Sequence, residues 1–326
     1  MRQGIMGTKN TQLETLKKID FSRYAPLIAL VVLIVLSAVA SEHFLKFRNI
    51  TNILRQVSYT GTIALGMTFV IVAGGIDLSV GSMVAFVGVL AIYLMNYLGG
   101  SILAVSVAVL AALVVGSLCG AFNGLIVTKG KITSFIATLG TMSIFRSLTL
   151  YISEAGEVIA QNELYPEIGG GYFMNIPYPV LVFLGLAGFF HVLLNNTAFG
   201  RHVCAVGANQ QVAVYSAIKV RWVTFMTFVI TGFSVGMTAV LLSSRLNSIS
   251  PGDAGIFYEL DAIAAVVIGG TPLAGGRGTI WGTVIGAVIL GIINNMLNML
   301  GVSPYLQGTV KGLVILVAVL AQYKKN

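Results

Sequence analysis

The side chains that could do chemistry here are few, and most stand inside apolar runs. Asp77 lies in Gly74-Gly75-Ile76-Asp77-Leu78-Ser79-Val80-Gly81. Gly74 and Gly75 permit a non-helical turn, and two readings of the acid are open. Asp77, with Ser79, caps the helix that starts near Leu78, a routine use of acidic and hydroxyl residues; or it is a proton or substrate site. Asn123, Asn294, Asn295 and Asn298 also sit in apolar segments. An amide offers both donor and acceptor, which suits hydroxyl-rich solutes and bonds between helices equally. Arg146 and Lys311 would each cost about 2.5–3.5 kcal/mol at the centre of a lipid-facing helix, so they should face the interior or snorkel. Glu259 and Asp261 read as helix-start acids. His43, His191 and His202 share no metal-ligand spacing, so no metal site is expected. Neither G-x-S-x-G nor H-E-x-x-H occurs, which argues against hydrolase and metalloprotease chemistry. G-x-x-x-x-G-K-[ST] is absent too, so any ATP would be bound by another chain.

The elements that position these groups must live in lipid. Charged residues are 9% of the 326-residue chain and mean hydropathy is +0.91, where a soluble domain keeps about 25% charged. A polytopic membrane protein transports, signals or acts on lipid-soluble substrates. The net charge of +8 sits mostly in loops and tails, so it reports orientation rather than nucleic-acid binding. Cys119 lies in an apolar run and Cys204 in a polar loop, which argues against a disulfide framework.

The expected fold is all-α, a transmembrane helical bundle. Ten spans are read, at 25–41, 57–74, 80–98, 102–127, 132–152, 178–194, 222–243, 259–271, 279–299 and 304–321. Eight remain an alternative, because 74–81 is either a re-entrant break or a plain loop. Residues 1–24 form a cytoplasmic N-terminal segment, 25–321 the membrane domain and 322–326 a cytoplasmic tail. The first apolar run ends in Ala38-Val39-Ala40, like a signal cleavage site, but its long polar lead favours an uncleaved span. Thirteen basic residues fall on the expected inner segments and four, Lys46, Arg48, Arg55 and Arg245, on the outer ones, so both termini should be cytoplasmic. Segment 42–56 fits least, and reads as an interfacial stretch anchored by Phe44 and Phe47. The outer segments also include 153–177 and 244–258.

Glycine is the second signal, with 38 in the chain. Gly116, Gly120 and Gly124, Gly232 and Gly236, and Gly282 and Gly286 stand at four-residue spacing, which predicts close helix packing. A faint repeat relates Val70–Gly81 (VIVAGGIDLSVG) to Val266–Gly276 (VVIGGTPLAGG); internal repeats build many transporters, and chance likeness between glycine-rich segments is the other reading. The longest inner loop, 195–221, contains Asn209 placed to cap a short helix through Tyr215 and Ser216. Such a helix under a bundle suits docking of a cytoplasmic partner.

With those residues in view, the chain resembles the permease subunit of bacterial ABC importers for monosaccharides, closest to the ribose-type permeases. Gly74–Ser82 (GGIDLSVGS), Ser134–Gly140 (SFIATLG), Thr197–Val220 and Tyr258–Gly301 carry the resemblance, which covers nearly the whole chain. It implies a multi-pass protein of the bacterial cytoplasmic (inner) membrane. It also implies a second permease copy, a cytoplasmic twin-cassette ATPase holding ATP and Mg, and a periplasmic or lipid-anchored sugar-binding protein. No cofactor is implied in this chain, and no enzymatic activity of its own. The coupling segment would include Gly200, Gly207, Asn209, Ala213 and Ser216. Where the family has Gly-Gly-Asn and Ser-Gly-Ile, this chain has Gly207-Ala208-Asn209 and Ser216-Ala217-Ile218; both departures are expected on helical backbone, which accepts Ala. Asn123, Asn294 and Asn295 are expected to border the path. The rivals are a proton-coupled secondary transporter using Asp77, an ABC permease for a nucleoside or another furanose, and a membrane enzyme acting on lipid-linked sugars, whose carboxylate or metal cluster is not visible.

Overall fold

A computed structural model describes residues 21–323; most of the expected N-terminal segment 1–24 and of the tail 322–326 lies outside the described residues. The chain is helical nearly throughout. Helices α1 (Phe21–Ala40), α2 (Phe47–Val72), α3 (Val80–Leu98), α4 (Ile102–Gly130) and α5 (Ser134–Ile152) are followed by a loop region containing strand β1 (Val158–Ile159), helix α6 (Pro166–Gly170) and strands β2 (Tyr172–Phe173) and β3 (Ile176–Pro177). Then come α7 (Tyr178–Asn196), α8 (Ala198–Ala208), α9 (Gln210–Tyr215), α10 (Val220–Leu246), β4 (Ser248–Ile249), α11 (Tyr258–Ile268), α12 (Ile280–Met299) and α13 (Pro304–Tyr323). Strand β1 pairs antiparallel with β4, and β2 with β3 through Met174 and Asn175, both at positive φ. Hydroxyl and amide caps start several helices: Ser101 accepts from the Ala104 amide, Thr197 from Gly200, Asn209 from Val212 and Thr279 from Gly282.

Six described helices are long and apolar enough to cross a membrane: α3, α4, α5, α7, α10 and α12. The core is α2, with α10, α12, α11 and α7 around it and α4 against α10. The four-residue glycine rows meet one another there. A Cβ on Gly116 would lie 2.4 Å from the Gly232 carbonyl, and one on Gly120 2.2 Å from the Phe228 carbonyl. Helices α4 and α10 therefore touch backbone to backbone. The third row serves α11 in the same way, since a Cβ on Gly286 would lie 2.0 Å from the Ala265 carbonyl.

Two expectations need correction. Segment 42–56 is not anchored by both phenylalanines: α2 begins at Phe47 and carries most of it, Phe44 is buried in the core and only Phe47 points out. Nor is 244–258 a plain outer segment ahead of a full span 259–271. Helix α11 has 11 residues, about 16 Å of rise, half of a hydrocarbon core. The chain before it runs along α3. Near the C-terminal end of α3 the Asn96 amide donates to the Ile159 carbonyl of β1, the strand that pairs with β4. Nearer the start of α3, Ile249 packs on Gly88, and the Gly255 carbonyl abuts Gly81. From Asn96 to Gly81 is about 22 Å along the helix. A turn-rich stretch and an 11-residue helix thus follow one another beside α3.

Candidate functional site

At one end of the bundle, α8 and α9 pack against two glycine turns. The turns are 73–79, between α2 and α3, and 269–279, between α11 and α12, so the two stretches of the faint repeat touch. The Gly276 amide donates to the Val72 carbonyl at 2.9 Å. Gly276 has φ 82°, a conformation that favours glycine. Gly207, near the end of α8, is pressed onto the same spot: a Cβ there would lie 1.8 Å from the Val72 carbonyl and 2.6 Å from the Gly276 nitrogen. Deeper in, the hydroxyls of Thr68 and Thr283 meet at 2.8 Å, joining α2 to α12. A cavity of about 740 Å³ opens beside this junction, lined among others by Gly74, Gly75, Lys131, Gly207, Asn209 and Arg221.

The expected coupling residues occupy this layer. Gly200 makes the tight entry to α8, where a Cβ would strike the Leu194 carbonyl. Asn209 caps α9, the Ala213 carbonyl accepts from the Ile218 amide at 3.0 Å, and Ser216 closes the helix. Ala208 is helical as expected. Ala217 is not: it has φ 58° and ends α9 in the left-handed conformation. Its amide bonds to the Val214 carbonyl while Ile218 reaches back to Ala213, a Schellman close in which glycine is the usual residue. The departure at 217 is therefore strained, contrary to the expectation of helical backbone.

Asp77 is fully buried in the 73–79 turn. Its Oδ1 accepts from the Ser79 amide at 2.9 Å and the Ser79 hydroxyl at 2.7 Å, and Asn123 donates to Ser79 Oγ at 2.7 Å and Asp77 Oδ2 at 3.3 Å. Ser134 and Thr138 of α5 accept from the amides of Ile76 and Leu78. The non-helical backbone is thus satisfied by protein, as membrane depth requires.

The three path candidates are not brought together. Asn123 belongs to the Asp77 cluster. Asn295 forms a reciprocal amide pair with Asn49, at 2.8 and 3.1 Å. Asn294 lines a separate cavity of about 90 Å³ with Gln56, Thr60, Asp261 and Lys311, and its Oδ1 has no partner. Asp261 and Lys311 pair there at 2.9 Å, joining α11 to α13. Asn298 accepts from Gln307.

Arg146 and Glu259, with residues not singled out from the sequence, form another cavity, of about 370 Å³, where α5 passes the 251–257 turns. Ser82, Ser143, Ser147, Phe257 and Glu259 line it, with Arg146. Arg146 donates to the carbonyls of Pro251 (2.6 Å), Gly252 (3.2 Å) and Ala254 (2.9 Å), which the absence of helix leaves free. Ser143 and Ser147, at helical spacing around Arg146, are the signal in the sequence that could have pointed here.

Residues 49–319 match the family model described as branched-chain amino acid transport system / permease component. The chain belongs to this permease family. It is 44% identical to the ribose import permease protein RbsC of Bacillus subtilis strain 168, over 98% of this chain and 99% of that one. It is 42% identical to the RbsC of Haemophilus influenzae, over 90% and 91%. The L-arabinose ABC transporter permease protein AraH of Azospirillum brasilense is 36% identical, over 87% and 82%. No solved structure matches the permease. The family is one of transport proteins, not of enzymes.

Proposed function

We propose that this chain is the membrane-spanning permease subunit of an ATP-driven importer that carries a monosaccharide, ribose-like in class, across the bacterial inner membrane. One observation supports it most: Gly207 of the α8–α9 segment lies against both the Val72 carbonyl and the Gly276 amide. A cytoplasmic motor that moves α8 and α9 would push at once on the ends of both glycine turns, and so on α2, α11 and α12. The identity to sugar permeases over nearly full length supports the substrate class. In this reading the chain makes ten crossings, one of them the broken 248–268, with both termini cytoplasmic. Two copies pair in the lipid. A twin-cassette ATPase holding ATP and Mg docks at Gly200, Gly207, Asn209, Ala213 and Ser216, and a periplasmic or lipid-anchored binding protein delivers the sugar. Gly74, Gly75, Asp77 and Ser79 form the break that transmits the stroke. Of the three path candidates, Asn123 and Asn294 each keep an unpartnered Oδ1 as an acceptor for water or solute; Asn295 takes part where its bond to Asn49 opens.

Reconstitution tests this reading. Proteoliposomes containing permease, ATPase and binding protein should accumulate sugar only with ATP. Sugar accumulation by the permease alone, driven by a proton gradient and lost in Asp77→Asn, would establish the secondary-transporter alternative instead.

A further inference from the structure

We infer that the cavity between α5 and the broken crossing is a sugar subsite, formed by Ser82, Ser143, Ser147, Phe257 and Glu259 and framed by Arg146. This rests on the reading of the chain as a sugar permease and adds where within it the sugar is held.

The depth comes first. Ser143 is near the middle of α5, whose 19 residues rise about 28 Å, the thickness of the hydrocarbon core. Three hydroxyls and two ionisable groups at that depth are incompatible with lipid; they must face protein or a water-filled passage. The rest of the open side of α5, including Ile136, Leu139, Ile144 and Leu148, is apolar, so the polar patch is local. The chemistry comes second. Arg146 is committed to three backbone carbonyls, which leaves no free cation to attract an anionic solute, while Glu259 would repel one. The groups that remain are hydroxyls that both donate and accept, a carboxylate acceptor and one aromatic face. A monosaccharide presents the complement, hydroxyls at its edge and C–H bonds on its face. The volume, about 370 Å³, is at the small end of ligand pockets.

Phe257 gives an independent sign. It has φ 64° and is 48% exposed, so a bulky side chain is held in a conformation that favours glycine and is not used to fill the core. Backbone strain of this kind clusters at ligand clamps and switch regions. Discontinuous helices at mid-depth are also where transporters build substrate sites.

The test uses the assembled transporter in proteoliposomes, measuring sugar moved per ATP hydrolysed. Phe257→Gly removes the ring and relieves the backbone, so the protein should fold; it should lower that ratio about tenfold, and Phe257→Tyr should restore it. In a second measurement Ser143→Cys is placed in a Cys119→Ala, Cys204→Ser background. Its labelling by a membrane-impermeant maleimide should slow at least fivefold when sugar and ATP are both present. Wild-type ratios in Phe257→Gly and Glu259→Gln, together with labelling indifferent to sugar, would overturn the subsite while leaving the permease reading standing. A wild-type assembly that moves no sugar would overturn both.

Discussion

At the scale of single residues, conformation matters more than identity. Ala217 closes α9 at φ 58°, where a Cβ costs about 1–2 kcal/mol. Ala217→Gly should therefore stabilise the protein by about 1 kcal/mol once the more flexible unfolded chain is allowed for, read as a higher Tm of the detergent-solubilised permease. The sequence displays the alanine but not its dihedral angle, because the turn is fixed by the Ile218–Ala213 bond. The Asp261–Lys311 pair is equally hidden: the two lie fifty positions apart, and nothing local couples them. Removing one member leaves a largely buried charge alone, so Asp261→Asn or Lys311→Met should each destabilise by about 3–5 kcal/mol, and the double variant should recover most of that. Chemical denaturation of the three variants would measure it. A double-variant loss equal to the sum of the two single losses would show that the pair is not coupled.

At the scale of elements, glycine spacing is the part most legible in advance. Four-residue rows in three helices announce close crossings, and the structure sets Gly116 and Gly120 against Gly232 and Phe228 of α10. Gly120→Leu should prevent that crossing and yield aggregated protein on size exclusion, whereas Gly140→Leu, which has open space around its Cα, should purify normally. The broken crossing is illegible for a physical reason. Ser248, Ser250, Pro251, Gly252 and Asp253 make the stretch before α11 read as a loop, and the apolar run after it does not show in its periodicity that the helix has only 11 residues. Its stability depends on a distant arginine. Arg146→Met should expose three unpaired carbonyls and make the 250–257 backbone more susceptible to hydrogen exchange, and Arg146→Lys should not rescue it, because a point charge cannot span the fork.

At the scale of the molecule, orientation can be read from one thiol. Cys204 lies on α8, in the layer proposed to face the cytoplasm, and burial pushes its thiol above the ordinary range. Because the thiolate is the reactive form, a raised pKa means slow alkylation at neutral pH, and a rate still climbing past the pH at which a free thiol levels off. In a Cys119→Ala background, an impermeant reagent should label inside-out vesicles and spare right-side-out ones; the opposite pattern would invert the topology.

The seating of Gly207 on Val72 and Gly276 has a consequence in the reverse direction. Equilibrium linkage is symmetric: if docking from below alters how strongly the bundle holds its cargo, the cargo must alter docking by an equal factor. A loaded permease and an empty one should then differ in their dissociation constant for the ATPase at fixed nucleotide, so sugar occupancy itself would bias what fraction of the motor is attached.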